Sequence, residues 1–422
     1  MSDESKSIED QDSTNEVEES APERPAPIRL DLSPHFSLDS SITFLNHGSF
    51  GACPQRVQHQ QDDLRRQMES EPVRFFTREL PTLLDRARAE LAGFVGTAPQ
   101  NLAFVTNTTE AVNSVLRSLS LEGGDEILIT DHSYGACVNA SHFVADRAGA
   151  EVVTAELPYP VEDPAQILDA IVDRVTDRTR LALIDHITAF SGMVLPITDI
   201  VAALRERGVD TLVDGAHAPG MVDLNIDEVG AAYYAGNCHK WLCAPRGSAF
   251  LHVRSDRLDT VRPLAISHGA TLETQERSRF HLEFDWTGTR DPTAWLCVPE
   301  AIRFLRTLVP EGWEGIRRRN RQLALESRRL LNDAVGAKPL YPDSMVGFTA
   351  CIDLPQGDGP APNTPFESDP LQVELFNQEG IEVPIFIILD PPRRLLRISA
   401  HLYNRPADYQ KLATALSNRL HH

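Results

Sequence analysis

Basic residues and paired cysteines are both scarce in this chain of 422 residues. The 61 Asp and Glu residues outnumber the 40 Lys and Arg residues, which gives a formal net charge of −21. A chain this acidic is repelled by nucleic acid and by anionic membrane surfaces, so we expect neither as a partner. The six cysteines are scattered and form no Cys-x-x-Cys pair. We therefore expect reduced, mostly buried thiols and no metal site.

Long apolar runs are also missing. No stretch is long and apolar enough to span a bilayer, so a membrane protein is not expected. Residues 1–27 are rich in Asp and Glu and almost free of apolar residues, which predicts a disordered acidic tail. This tail lacks the basic start and apolar centre of a signal peptide. The cytoplasm is the expected compartment.

The length exceeds that of a usual single domain, so we expect a large and a smaller one. Strand-like and helix-like segments alternate from 101 to 253, which predicts a doubly wound α/β sheet. Beyond residue 293, a helical pattern at 317–333 and strand-like runs at 346–354 and 394–399 predict an α+β unit. The predicted division is a tail at 1–27, a large domain at 28–292 that includes the N-terminal segment, and a small C-terminal domain at 293–422.

Two short apolar runs end in polar residues that suit a single ligand. Residues 211–213 lead into Asp214, and residues 231–235 are followed closely by Lys240. Buried parallel strands end in this way, and ligands of open α/β sheets lie outside the carboxyl ends of the strands. A lysine there can form a Schiff base if its pKa is lowered, and an aspartate can hold a pyridinium nitrogen protonated. Pyridoxal phosphate needs both groups, although either residue alone could be a solvated strand-end lysine or a helix cap.

A strand-like run at 102–105 is followed by hydroxyl side chains and then by a helical pattern. Free N–H groups and the positive end of a helix dipole attract an anion, so a phosphate cradle around Thr108 and Thr109 is one interpretation. The other is an ordinary threonine N-cap with Glu110 in the first helical turn.

The order of the motifs carries a resemblance. The chain has Asp-Gly-Ala-His-Ala-Pro-Gly at 214–220, Asn-Cys-His-Lys-Trp-Leu at 237–242 and Ala-Pro-Arg-Gly at 244–247. In this it resembles the class V aminotransferase family of pyridoxal-phosphate enzymes, from about residue 44 to residue 401. Phe-Leu-Asn-His-Gly-Ser-Phe-Gly-Ala at 44–52 and Trp-Thr-Gly-Thr-Arg-Asp at 286–291 are similar to the isopenicillin N epimerase-like group within it.

The resemblance implies fold type I, with a mostly parallel seven-stranded sheet containing one antiparallel strand. It implies that Lys240 binds the cofactor and then acts as general base and acid at the α-carbon, while Asp214 pairs with the pyridine nitrogen. Arg397 would bind the substrate carboxylate, although a surface ion pair is the alternative for an arginine on a strand. The other implied cofactor contacts are Thr108, Thr109, Asn237, His239 and Thr289 at the phosphate, His217 and Thr188 near the phenolic oxygen, and Tyr134 against the ring, with His132 as its alternative.

The implied assembly is a homodimer with a shared active site, because the loop at 286–291 of related enzymes crosses the dimer interface. Asn46 and His47 are expected to line the substrate pocket. Two reactions remain open: epimerisation or racemisation of an amino acid, and β-elimination by a C–S lyase. Transamination is less favoured. Cysteine desulfuration is also less favoured, because Cys351 lies in a strand-like run rather than on a loop near Arg397.

Overall fold

The computed structural model describes residues 31–272, 277–357, 367–388 and 391–420. Its strands are β1 Thr43–Phe44, β2 Leu102–Val105, β3 Glu126–Thr130, β4 Glu151–Ala155, β5 Thr179–Asp185, β6 Asp210–Asp214, β7 Tyr233–Asn237, β8 Ala249–Val253, β9 Thr349–Leu354, β10 Ile381–Glu382, β11 Ile385–Ile388 and β12 Arg393–Ser399.

The helices follow the apolar periodicity of the sequence, and several end at a glycine in the left-handed conformation, as after Val95 and Val335. They are α1 His47–Phe50, α2 Gln55–Ser70, α3 Pro72–Arg74, α4 Leu80–Val95, α5 Thr108–Ser118, α6 Gly135–Ala148, α7 Ala165–Val172, α8 Ile197–Glu206, α9 Ile226–Val229, α10 Arg279–Asp285, α11 Thr293–Leu296, α12 Val298–Arg306, α13 Gly312–Val335, α14 Pro370–Glu379 and α15 Pro406–Leu420.

The large sheet has seven strands in the order β2-β8-β7-β6-β5-β3-β4. All neighbours are parallel except β8, which runs antiparallel to both β2 and β7. This confirms the predicted sheet with one antiparallel strand. Since β5, β6 and β7 run in the same direction, the residues that end them lie at one edge of the sheet. Those residues are Asp185, Asp214 and Asn237.

A smaller antiparallel sheet, β11-β12-β9, forms in the C-terminal part of the chain. The N-terminal segment joins this part, because β1 pairs in parallel with β10. The Ser399 N–H also donates to the Leu45 carbonyl oxygen at 2.8 Å. As a result, α1 lies beside the end of β12, which carries Arg397.

Residues from Leu32 onward form one compact unit. The predicted boundary between a large and a small domain at 292 and 293 stays a prediction, and the predicted tail at 1–27 lies outside the described residues. None of the helices in the described ranges combines the length and the apolar character needed to cross a bilayer.

Candidate active site

Lys240 lies in the turn that follows β7, and backbone packing fixes that turn. The Lys240 carbonyl oxygen accepts hydrogen bonds from the Cys243 N–H and from Nε2 of His47, both at 3.0 Å. Gly51, whose φ is +70°, packs directly on the backbone of His239. A Cβ at Gly51 would clash with the His239 carbonyl oxygen. The lysine is therefore held by contacts with α1, which is distant in the sequence.

The Lys240 amine contacts a histidine whose protonation is set by geometry. Nε1 of Trp241 donates to Nδ1 of His217 at 3.3 Å, so that ring nitrogen is an acceptor. The proton of the neutral His217 ring then belongs on Nε2, which lies 2.9 Å from Nζ of Lys240. This Nε2–H can donate only to an amine that has a lone pair, so the contact suits a neutral Lys240.

The charges around Lys240 agree with this assignment. Burial, followed by the positive charge of Arg397, lowers the pKa of Lys240 to about 8. Burial also lowers the pKa of His217 well below its ordinary value, so this ring stays neutral. A lysine with a lowered pKa is a usable nucleophile and base near neutral pH.

Asp214 ends the neighbouring strand β6 and is buried. Its Oδ1 accepts from the Ala216 N–H at 3.0 Å, and its Oδ2 accepts from the Cys137 thiol at 3.2 Å. Asp185 of β5 is its register partner, so a second buried carboxyl stands beside it. Burial and the charge of Asp214 raise the pKa of Asp185 well above its ordinary value. Burial also raises the pKa of Asp214, but the hydrogen bonds from Ala216 and Cys137 oppose that rise.

Arg397 is a buried cation without a buried anion. Its guanidinium donates to the Ala189 carbonyl oxygen and, at 3.1 Å, to Oγ of Ser49, and it lies over the Phe386 ring at 5.1 Å. In the described parts of the chain no carboxylate forms an ion pair with it, and its Nε has no hydrogen-bond partner. Burying an unpaired charge is costly, so this arrangement fits an anionic ligand that supplies the missing partner.

A hydrogen-bonded chain supports the Arg397 guanidinium. Oγ of Ser49 donates to Oδ1 of Asn46 at 2.6 Å, and Nδ2 of Asn46 donates to Oε1 of Glu382 at 3.0 Å. Gly48 stands between the two ends of the site, because a Cβ there would lie 3.4 Å from the Arg397 guanidinium and 3.5 Å from the His217 ring. The structure thus brings the Arg397 guanidinium and the His217 ring, which contacts Lys240, to either side of Gly48.

The start of α5 differs in part from the predicted phosphate cradle. The Thr108 N–H donates to Oδ1 of Asn237 at 3.0 Å, and the Glu110 N–H donates to Oδ1 of Asn107 at 2.8 Å. These N–H groups are therefore not free, and the N-cap is Asn107 rather than a threonine. The Thr108 hydroxyl is buried and has no hydrogen-bond partner among the described residues, which leaves a donor for a ligand. Thr109, the next residue of the helix, is partly buried.

The two predicted ring-stacking residues lie at different depths. His132 is buried, and its Nδ1 lies 2.8 Å from Oγ of Ser191, which in turn lies 2.6 Å from Oγ1 of Thr188. Tyr134 is 42% exposed, and its ring centroid lies 6.2 Å from that of Phe190. Both remain predicted positions, His132 within the wall of the site and Tyr134 at its exposed side.

The His47 side chain contacts the backbone of the lysine turn. One of its ring nitrogens contacts the Lys240 carbonyl oxygen, and the other lies 2.8 Å from the Tyr403 hydroxyl. Both nitrogens are occupied, so the structure places His47 as a support for Lys240. That His47 and Asn46 line a substrate pocket stays a prediction.

His47 also forms a buried group with Cys243 and His401, whose ligand-type atoms lie within 4.8 Å of one another. The two imidazole rings stack, with centroids 4.2 Å apart and planes 14° apart. An imidazole binds a metal ion in the plane of its ring, and two stacked, nearly parallel rings cannot both point at one ion. This group is better described as packing beneath the lysine turn.

Two other predicted cofactor contacts, His239 and Thr289, are more exposed than Thr108. His239 is partly buried, and its Nδ1 lies 3.1 Å from the Ser248 carbonyl oxygen. Thr289 is exposed on the loop between α10 and α11. An exposed position is compatible with a residue that contacts a partner subunit. The contact between Thr289 and the partner's phosphate site stays a prediction.

Sequence reasoning missed three residues of this site. Asp185 had a usable signal, since a carboxylate ends the strand beside that of Asp214. Ser49 stood within a motif recognised at 44–52 but was given no role. Cys137 had no signal, because it contacts Asp214 only after α6 packs on the sheet.

Comparisons with known proteins identify the family. Residues 51–345 match the model of the family described as aminotransferase class-V. The chain is 38% identical to an isopenicillin N epimerase of Amycolatopsis lactamdurans, over 90% of this chain and 96% of that protein. It is 30% identical to a probable chloroplastic L-cysteine desulfhydrase of Arabidopsis thaliana, over 92% of this chain and 85% of that protein.

Among solved structures, a mutant of C-DES with glycine covalently linked to its PLP cofactor superposes with a TM-score of 0.77 at 20% identity. The match covers 92% of this chain and 99% of that one, and it shows a shared fold. The chain belongs to the class V aminotransferase family of pyridoxal-phosphate enzymes.

Proposed function

We propose that this enzyme acts at the α-carbon of an amino acid as an epimerase or racemase, similar to isopenicillin N epimerase. The observation that carries the proposal is a lysine and an arginine in one site: Lys240 has a lowered pKa, and Arg397 is buried with no anion among its described contacts. An amino acid supplies an amine for the first end and a carboxylate for the second. The relative named isopenicillin N epimerase, at 38% identity, favours epimerisation.

The residues present fit pyridoxal phosphate. Lys240 would hold its aldehyde carbon, Asp214 its pyridine nitrogen, and the unpartnered Thr108 hydroxyl, with Thr109, Asn237 and His239, its phosphate. When bound, this cofactor stabilises a carbanion at the α-carbon.

The chain's own residues would then position the substrate and move a proton. Arg397 holds the carboxylate in a bidentate contact, with its guanidinium already fixed by Ser49 and the Ala189 carbonyl oxygen. Lys240 takes the α-proton as general base, and inversion then requires that a proton reach the opposite face of the α-carbon from a group other than Lys240. His217 donates from Nε2 toward Lys240 Nζ, which keeps the amine lone pair oriented while Trp241 fixes the ring.

A C–S lyase that performs β-elimination is the second candidate. It is favoured by the relative named probable L-cysteine desulfhydrase, which matches 92% of this chain. The same Lys240 base would serve, so the described contacts do not separate the two reactions.

Cysteine desulfuration is disfavoured by the position of Cys351. This thiol is buried in β9 and donates to the Phe190 carbonyl oxygen at 3.0 Å. Burial raises its pKa to about 12, so it is a poor nucleophile at neutral pH. A persulfide-forming cysteine needs the opposite surroundings.

The decisive experiment incubates the enzyme with a panel of L-amino acids and cysteine conjugates in deuterium oxide. Deuterium at the α-carbon together with inversion, seen by NMR and chiral chromatography, would support the epimerase. Release of pyruvate and a thiol or sulfide would instead support the lyase. The Lys240→Ala variant should do neither, and Lys338→Ala, at an exposed lysine, should match the parent enzyme.

We also propose a homodimer in the cytoplasm in which Thr289 reaches the phosphate site of the partner subunit. Its exposure on the loop between α10 and α11 supports this. Light scattering should give twice the chain mass, and mixing Thr289→Ala with Lys240→Ala chains should restore some sites. A monomer with full activity would overturn this part of the proposal.

A further inference from the structure

The thiol of Cys137 contacts the carboxylate predicted to pair with the cofactor nitrogen. Cys137 lies in the first turn of α6 and is 1% exposed. Its Sγ is 3.2 Å from Oδ2 of Asp214, a hydrogen-bond distance for sulfur. Because Oδ1 of Asp214 accepts from the Ala216 N–H, each carboxylate oxygen has one donor. The plane of the carboxylate is thereby fixed from two elements, α6 and the turn after β6.

A second buried carboxyl, that of Asp185, lies beside Asp214 and affects its ionisation. Asp185 is the register partner of Asp214 on the adjacent strand, and both are buried. Two carboxylates side by side in a buried site disfavour each other's ionised form, so one of them must be favoured if a single negative charge is to remain. The other titratable groups that act on this pair from the surrounding elements are Lys240, Tyr134 and Tyr234.

We propose that Cys137 is a positioning residue whose S–H hydrogen bond fixes the orientation of Asp214 and keeps the negative charge on Asp214 rather than on Asp185. This inference rests on the proposed function, since Asp214 is the predicted partner of the pyridine nitrogen. It adds a residue that does not touch the cofactor and acts through Asp214.

The thiol is suited to this role because it stays protonated. Burial, together with the charge of Asp214, raises the pKa of Cys137 well above its ordinary value, so the sulfur remains a donor over the working pH range. A thiol is also a weak donor, and it leaves a second lone pair on Oδ2 for another partner. A carboxylate held in this way stays a strong acceptor and has a fixed direction.

The first test does not involve the cofactor. The S–H stretching band of Cys137 is obtained as the infrared difference between the cofactor-free parent protein and Cys137→Ala. We expect a band shifted to lower frequency relative to that of Cys297, a buried thiol remote from the site, obtained in the same way from Cys297→Ala. Replacing Asp214 by Asn should move the Cys137 band toward the Cys297 position. A Cys137 band that already coincides with that of Cys297 would overturn the proposal.

The second test measures how firmly the loaded enzyme keeps its cofactor. In metal sites, residues that support a ligand without touching the ion change affinity by about 10- to 100-fold when replaced, and we take the lower end of that range for this site. We expect Cys137→Ala to raise the dissociation constant of pyridoxal phosphate by about tenfold and to shift the pH dependence of the bound cofactor's absorbance. Cys137→Ser keeps a donor and should stay within about threefold of the parent, as should Cys297→Ala.

The outcomes separate this inference from the proposed function. If the parent protein shows no Lys240-dependent absorbance with pyridoxal phosphate, the proposed function fails while the infrared result still decides the Cys137 bond. If the parent is loaded normally but Cys137→Ala and Cys297→Ala retain the cofactor equally well, Cys137 has no positioning role. Equal losses in the Ala and Ser variants would also reject it, because packing rather than the hydrogen bond would then be responsible.

Discussion

Two cations face the same site and respond to burial in different ways. Burial lowers the pKa of Lys240 to about 8, and the nearby carboxylates of Asp214 and Asp185 limit the fall. Burial lowers the pKa of Arg397 to about 10, with no carboxylate among its described contacts. With a pKa of about 8 the lysine becomes half neutral about one pH unit above neutrality, whereas the arginine there keeps its charge.

This difference assigns each end of the site a kind of ligand. The lysine end has hydrogen-bonding groups that accept or give up a proton, namely His217 and the paired carboxyls. The arginine end has a neutral hydroxyl and a carbonyl oxygen, so it presents a permanent charge to a permanent anion. The lysine end therefore suits proton transfer, which we call the chemical end, and the arginine end suits binding of an anionic group, which we call the binding end.

The largest effect should come from removing the lysine. In Lys240→Ala the base and covalent attachment point are lost, so turnover should fall by at least about 10⁴-fold. Substrate binding at Arg397 should persist and can be measured by calorimetry. If Lys240→Ala lost substrate affinity as severely as turnover, the division into a chemical end and a binding end would be wrong.

Changing the arginine should chiefly affect binding. Arg397→Lys keeps the charge but loses the fork that contacts both carboxylate oxygens, and losses at buried charged contacts are about 2–5 kcal/mol. We expect kcat/KM to fall by about 100-fold while the absorbance of the bound cofactor is unchanged. Arg393→Lys is the matched control, because that arginine is partly exposed and pairs with Asp353. Loss of the cofactor absorbance in Arg397→Lys would contradict the comparison.

The pH dependence should reflect Lys240 alone. The pKa of its amine is lowered from 10.5, so the neutral, reactive form increases as the pH rises and is nearly complete about one unit above the lowered pKa of about 8. The rate at which cofactor-free protein captures pyridoxal phosphate should rise about tenfold per pH unit below that value and then level off. Stopped-flow absorbance provides the measurement. A rise that continued to pH 10 would show an ordinary lysine.

The smallest effect should come from the support of the arginine. Ser49→Ala removes one acceptor from the Arg397 guanidinium, although the Ala189 carbonyl oxygen remains. A hydrogen bond to a charged group is worth about 1.5–3 kcal/mol, and partial compensation should reduce the effect to a rise of about tenfold in KM. Steady-state kinetics with unchanged kcat would agree. A fall in kcat without a change in KM would place Ser49 at the chemical end instead.

Much of the fold was predictable because local patterns specify it. The strand-like run at 102–105 was found as Leu102–Val105, and the run at 394–399 as Arg393–Ser399. The spacing of apolar residues and the residues at the element ends are local features, so the segment's own sequence specifies such elements. The helix predicted at 317–333 was too short, because α13 spans Gly312–Val335. The helix begins at Gly312, which has a positive φ of +61° and is not marked by the apolar pattern.

The sequence by itself determined the class of enzyme and the positions of Lys240 and Asp214. The carboxyl ends of parallel strands lie at one edge of the sheet. A motif that follows a buried parallel strand is therefore located at that edge by its sequence position alone. Only the tertiary structure decided which groups adjust those residues. Cys137 is 77 positions from Asp214, and Ser49 is 348 from Arg397. Such hydrogen bonds form because packed elements bring the atoms within reach, and no local periodicity encodes that distance.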